Sequence, residues 1–367
     1  MNNIKTWDIF CKVIDNFGDI GVCWRLACQL AQKRQSVRLW VDDSSALSWM
    51  ACGEKITNIE VKAWTEDLNH FTTPGDIVIE GFGCELPVAY VKEWAKKHNR
   101  KIRMKNWINL EYFSAEPYVI RSHGLASPIL AGPGKGLLKH FFYPGLSENT
   151  GGLLREHDFD LRQSKFQADQ WLKRQGIDKS DALLVSLFCY EPHSLKQLLQ
   201  QYAQQESSTL VLITAGRASE AFHCAVKSLN DQRQDWNELG KLRWHQLPYL
   251  SQVDYDHLLW SCDLNFVRGE DSLARAILSG RPFIWNIYRQ DDDAHLIKLQ
   301  AFLDIVQPPN DLQIFHRVWN EAHGSEGFSL PCLTLSDHQA WAQSLREKVH
   351  KQEDLLSQLL EFVFKTH

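Results

Sequence analysis

Several features are missing from this chain of 367 residues, and each absence closes off a class of function. No apolar run approaches the roughly 20 residues of a membrane span. The opening Met-Asn-Asn-Ile-Lys-Thr-Trp lacks the apolar core of a secretory leader. Cysteines stand at 11, 23, 28, 52, 84, 189, 224, 262 and 332, an odd number with no C-x-x-C pair. Neither a disulfide framework nor a zinc cluster is expected from that pattern, and a reducing cytoplasm fits it better. Positive charge is not in excess: 40 Lys and Arg against 45 Asp and Glu leave −5, so a nucleic-acid backbone is not the expected main partner. Two phosphate-binding signatures are also absent. Gly132-Pro-Gly-Lys-Gly136 lacks the Gly-Lys-Ser/Thr ending of a P-loop. Asp15-Asn-Phe-Gly-Asp-Ile-Gly21 sits where Gly-x-Gly-x-x-Gly would bind a dinucleotide, and its two carboxylates disfavour NAD. The expectation is a soluble cytoplasmic protein with no membrane or nucleic-acid role.

What is present reads as α/β structure twice over. Hydrophobic content of 44% and charged content of 23% fit a packed globular chain. The length suits two domains at ~100–200 residues each. Residues 4–14 read as a strand, and Val22, Leu26 and Leu30 then fall on one helical face. A second strand at 37–41 completes a βαβ unit, hence a parallel sheet with a right-handed crossover. Strands at 76–79 and 102–110 follow, with a helix at 87–98 between them. Residues 145–180 read as a linker with one helix at 164–175. The pattern restarts with strands at 182–190, 209–214 and 242–247 and helices at 193–204, 218–229 and 254–261. Residues 337–365 read as one long amphipathic helix. This is the GT-B glycosyltransferase architecture, two Rossmann-like domains with an interdomain cleft. The expected division is an acceptor-binding domain at 1–150 and a nucleotide-sugar-binding domain at 178–336, the helix at about 337–367 packing back on the first. A ligand is expected at the carboxyl ends of both sheets.

The chemistry concentrates in Arg268-Gly-Glu-Asp-Ser-Leu-Ala-Arg-Ala-Ile-Leu278, a strand end, glycine turn and helix start. A helix N-terminus offers free N–H groups and a positive dipole end to phosphate. Arg268 adds a planar charged fork. Glu270, Asp271 and Ser272 suit a ligand with hydroxyl or imide donors around its phosphates, such as a nucleoside diphosphate sugar, and serve equally as ordinary helix caps. Phe188, Tyr190 and Tyr249 stand at strand and loop ends, where aromatic faces can sandwich a nucleobase or simply fill the core. Asp15 and Asp19 flank the turn after the first strand. Such carboxylates can accept a proton or orient a cationic nucleophile, and equally can form an Asx-turn and an N-cap. Asp291-Asp-Asp293 reads as helix-start charge rather than a metal site, and departure of a diphosphate onto Arg268 and a helix end needs no metal.

Several of these stretches resemble one family. Ile-Asp-Asn-Phe-Gly-Asp-Ile-Gly-Val-Cys-Trp-Arg-Leu-Ala, Phe-Tyr-Pro-Gly with Gly-Gly-Leu-Leu-Arg-Glu, Ser-Leu-Phe-Cys-Tyr-Glu, Phe-Val-Arg-Gly-Glu-Asp-Ser and the run from Gln290 to Asp304 occur in the order found in the EarP family, protein-arginine rhamnosyltransferases of elongation factor P. The resemblance implies a GT-B fold and inverting transfer of L-rhamnose from dTDP-β-L-rhamnose to an arginine of elongation factor P, an activation for polyproline translation. It implies no cofactor and no metal. It further implies Asp19 as general base or guanidinium-orienting carboxylate supported by Asp15, with Glu270 also catalytic. Phe188, Tyr190, Tyr249, Gln252, Arg268, Glu270, Asp271 and Ser272 are implied to bind the donor, and Glu111 to lie on the acceptor side. The competing readings are another GT-B transferase with a different acceptor, a non-catalytic nucleotide-sugar-binding protein and, third, a Rossmann oxidoreductase.

Overall fold

The computed structural model describes residues 4–14, 17–51, 56–65, 73–98, 105–290, 292–322, 329–333 and 335–365. Asp15 and Asp291 lie outside the described residues. The chain divides into one unit of residues 1–156 with 350–367 and another of residues 157–349.

The first unit holds strands β1 (Thr6–Cys11), β2 (Ser36–Val41), β3 (Ile59–Ala63), β4 (Ile77–Gly81), β5 (Trp107–Leu110), β6 (Ala126–Pro128) and β7 (Leu138–Phe142). They form one sheet in the order β3-β2-β1-β4-β5-β7-β6. All neighbours are parallel except β6 and β7. The strand order reverses between β1 and β4, and such a reversal opens a crevice at the carboxyl ends of the two strands. The helix Gly18–Gln32 starts there. Its buried stripe is Ile20, Cys23, Leu26, Ala27 and Leu30, all fully enclosed against the sheet. Val22, read from the sequence as part of this stripe, is only half-buried at its margin. Enclosing each such leucine stabilises the unit by about 1.5–3 kcal/mol.

The second unit holds β8 (Leu183–Leu187), β9 (Thr209–Ile213), β10 (Leu242–Gln246), β11 (Leu264–Arg268) and β12 (Phe283–Asn286). All pairs are parallel, in the order β10-β9-β8-β11-β12. The reversal now falls between β8 and β11. Every residue of β11 is buried, as its largely apolar run requires in a sheet covered on both faces. The segment between the two sheets carries two short helices, Phe159–Lys165 and Ala168–Arg174, where one was expected.

The closing segment is two helices, not one. Leu335–His350 ends before a break, and Leu355–Phe364 follows with Asp354 as its N-cap, the carboxylate accepting from the Ser357 N–H at 3.1 Å. Leu355, Leu356, Leu359 and Val363 join the core of the first unit. Gly152 lets this helix approach: its φ is +66°, and a Cβ there would meet the Glu353 carbonyl at 2.5 Å. Among the described residues no helix is long and apolar enough to cross a membrane.

Candidate active site

In the second unit Phe188, Tyr190 and Arg268 converge where the strand order reverses. Phe188 and Tyr190 leave β8, and Arg268 ends β11 beside it. Arg268 lies over both rings, its guanidinium carbon 4.4 Å from the Phe188 centroid and 5.0 Å from that of Tyr190. It donates one hydrogen bond to the Cys189 carbonyl at 3.4 Å. Arg268 is only 8% exposed, and among the described residues no carboxylate lies within ion-pair distance of it. A buried guanidinium costs several kcal/mol unless paired, and two aromatic faces offset only part of that. The group is therefore set up to receive an anion.

The neighbouring backbone is held firmly. The Tyr190 N–H donates to Asn286 Oδ1 at 2.9 Å, and Asn286 is itself held by Asn320 at 3.1 Å. Gly269 adopts a φ of +63°, which suits glycine at the turn into the helix Gly269–Ser279. The Trp285 indole N–H fixes its carbonyl at 2.8 Å. Ser272 donates its hydroxyl back to the Arg268 carbonyl. Glu270, in the first helical turn, pairs with Lys298 at 2.5 Å. Tyr249 is 50% exposed, and its hydroxyl reaches the turn at Gly216. Gln252 opens the helix Gln252–Ser261, whose N-cap is Ser251. At the rim, Arg217 grips Glu191 through two bonds of 2.9 and 2.7 Å and lies over Tyr190 at 5.1 Å. That grip holds the Glu191 carboxyl below its ordinary range.

In the first unit Asp19 sits in the first turn of its helix, 1% exposed. It is not the N-cap; Phe17 occupies that position with no side-chain cap. Asp19 Oδ2 accepts the Ile14 N–H at 2.9 Å, and Oδ1 accepts the Tyr112 hydroxyl at 2.9 Å. Glu111, the expected acceptor-side group, follows β5. It accepts from Asn109 at 2.6 Å, and burial pushes its pKa up. The contact with Asp19 comes from the next residue, Tyr112. Asp292 accepts the Ala294 N–H at 3.2 Å and so serves the helix start, while Asp293 occupies the N-cap position of Ala294–Val306 with no side-chain cap. No group of three or more His, Cys, Asp or Glu side chains could hold a metal ion among the described residues.

Sequence reasoning missed Tyr112, Lys298, Arg217 and Asn286. Tyr112 follows β5 at the carboxyl edge of the sheet beside Glu111, but nothing local to it marks it as the side chain that reaches Asp19.

Comparison with known proteins bears on both halves. The family model described as elongation-factor P (EF-P) rhamnosyltransferase EarP matches residues 7–364. A protein-arginine rhamnosyltransferase of Pseudomonas aeruginosa is 39% identical over 344 residues, 88% of this chain and 89% of the relative. Another, from Pseudomonas putida, is 42% identical over 311 residues, covering 81% of this chain and 80% of the relative. A solved structure described as the structural basis for EarP-mediated arginine glycosylation of translation elongation factor EF-P aligns with a TM-score of 0.63 at 29% identity, over 99% of this chain and 100% of the other. The fold is of the GT-B class.

Proposed function

Because the chain belongs to the EarP family of elongation-factor P rhamnosyltransferases, we propose that it transfers L-rhamnose from dTDP-β-L-rhamnose to an arginine side-chain nitrogen of elongation factor P, inverting the anomeric carbon. The observation that carries the donor half is Arg268, a buried guanidinium with two aromatic faces and no carboxylate partner among the described residues. A nucleoside diphosphate supplies what that arrangement lacks. Its charge meets Arg268 and the N–H groups of the helix Gly269–Ser279, and its pyrimidine suits the aromatic faces of Phe188, Tyr190 and Tyr249. Glu270, Asp271 and Ser272 in the first turn suit hydroxyl or imide donors around its phosphates.

On the acceptor side Asp19 is the group for an arginine. A free guanidinium has a pKa above ~12, and a carboxylate near ~4 does not deprotonate it in the ground state. Asp19 instead pairs with the guanidinium, orients one nitrogen and takes its proton as the C–N bond forms. The bond from the anomeric carbon to the diphosphate oxygen breaks in the same displacement. Direct displacement from one face converts the β linkage to α. The dTDP departs onto Arg268 and the helix end, which stabilise its growing charge. Asp15 is proposed to support Asp19, and Glu270 to assist the donor sugar.

The test is the intact mass of purified elongation factor P after incubation with this protein and dTDP-β-L-rhamnose. A gain of one deoxyhexose, absent when the acceptor arginine is replaced by lysine, is expected. No gain, with dTDP-rhamnose still raising the melting temperature, overturns the acceptor. Neither gain nor thermal shift overturns the donor as well.

A further inference from the structure

Phe82, which follows β4, holds a φ of +57°. That backbone is costly for a bulky residue and persists only where its surroundings enforce it. The enforcement is visible. The Phe82 N–H donates to the Leu110 carbonyl at 2.7 Å, the Cys84 N–H to the Gly81 carbonyl at 3.1 Å, and the Gly83 N–H to Asn109 Oδ1 at 3.1 Å. Gly81 cannot carry a side chain without bringing its Cβ to 2.8 Å from the Phe10 carbonyl. The turn is thus pinned to β1 and β5, and one ring is delivered by it. The Phe82 ring stacks on Tyr112 with centroids 4.4 Å apart and planes 18° apart.

Tyr112 in turn donates to Asp19 Oδ1 at 2.9 Å, while Oδ2 takes the Ile14 N–H at 2.9 Å. Segments following β1, β4 and β5 therefore meet at one buried carboxylate. Asp torsions about the last bond are soft and two-fold, so a carboxylate bonded through one oxygen alone can turn out of plane. With a donor on each oxygen its plane is set. Each carboxylate oxygen can accept more than one donor, so a plane fixed in this way still suits the parallel N–H groups of a planar guanidinium.

We propose that Tyr112, held by the strained Phe82 ring, is the positioning residue of Asp19 and fixes the carboxylate plane that receives the acceptor's guanidinium. The inference rests on the reading of Asp19 as the acceptor-side carboxylate. The strain at Phe82 has a use in this arrangement, since a relaxed turn at that residue would withdraw the ring that holds Tyr112.

The test is Tyr112→Phe, which keeps the stacked ring and removes only the hydroxyl. The expected result is a fall of about ten- to hundredfold in kcat, the scale of a hydrogen bond to a charged group, with donor KM unchanged and some fall in melting temperature, since a buried carboxylate loses a donor. Phe82→Ala is expected to lower kcat too, and the combined variant to be no slower than the slower single variant, because both act through one hydroxyl. A wild-type kcat in Tyr112→Phe, or losses that multiply in the combined variant, overturns the proposal. Asp19→Asn is measured alongside. If it turns over normally, the reading of Asp19 fails and this inference with it. If Asp19→Asn stops transfer while Tyr112→Phe does not slow it, this inference alone fails.

Discussion

The Arg268 guanidinium carbon stands 4.4 Å from the centroid of the Phe188 ring, so charge and aromatic face meet at the end of β11. Lysine keeps the charge but loses both the planar stack and the fork. Arg268→Lys is therefore expected to weaken dTDP-rhamnose binding by about tenfold. Arg268→Ala is expected to weaken it further, with binding of elongation factor P unchanged. Calorimetry with each substrate separately checks this. Unchanged donor affinity in Arg268→Ala removes Arg268 from the diphosphate site.

Lys298 comes from the helix Ala294–Val306 and pairs with Glu270 at 2.5 Å, the two side chains being 17% and 21% exposed. Glu270 is thereby held at the head of the helix Gly269–Ser279 by a residue 28 positions later. Lys298→Met removes the cation and leaves a half-buried carboxylate without its partner, at a cost of about 1–3 kcal/mol. The expected outcome is a fall of about tenfold or more in kcat/KM for the donor, restored in large part by Lys298→Arg. Equal activity in Lys298→Met means that Glu270 needs no such anchor.

The parts that were legible in the sequence are those encoded locally. Strand, glycine turn and helix succeed one another within Asp263–Leu278, so Arg268, Glu270 and Ser272 could be assigned to one turn before any contact was known. Asp19 was legible for the same reason, as a carboxylate following the first strand. Tyr112 was not, because its partner lies 93 residues away and nothing in Leu-Glu-Tyr marks which side chain reaches it. The break between the last two helices was also hidden. Lys351-Gln-Glu-Asp354 contains no Gly or Pro, and the stop is made instead by Asp354 capping the next helix. The short strands β6 and β7 were obscured by the glycine-rich stretch before β7, which reads as loop.

Arg275 and Asp256 are joined by two bonds of 2.8 and 2.6 Å, each side chain 1% exposed. The pair ties the helix Gly269–Ser279 to Gln252–Ser261. Breaking such a pair from one side costs about 3–5 kcal/mol, whereas an apolar replacement of both partners is often tolerated. Arg275→Met is expected to lower the melting temperature sharply and to weaken donor binding with it. Arg162 Nη1 also lies 3.7 Å from Asp256 Oδ2, so Arg275→Met with Asp256→Leu should recover only part of the stability. Thermal scans of the three proteins decide between this and a pair of no consequence, for which all three curves coincide.

His316 is fully enclosed beneath β12, between Phe283 and Phe302. Its Nδ1 lies 2.8 Å from the Leu312 carbonyl, which fits a neutral ring donating through that nitrogen. Burial pulls its pKa from 6.5 down to about 4, against the smaller opposing effect of that carbonyl. The sign follows from the two states. As pH falls below 6.5 the unfolded chain takes up a proton that the folded ring refuses, so stability present above about 6.5 is lost progressively down to about 4 and levels off below. The loss is about 3–4 kcal/mol at most, since each tenfold change in proton affinity is worth about 1.4 kcal/mol. Other groups titrate in the same range, so the informative quantity is a difference between proteins. Wild type and His316→Phe are compared by melting temperature from about pH 7.5 to about pH 4.5, an interval that spans the ordinary histidine range. The wild type is expected to lose more than the variant over that interval, the two curves separating as pH falls. Curves that run parallel mean that His316 accepts its proton in the folded state as readily as in the unfolded chain.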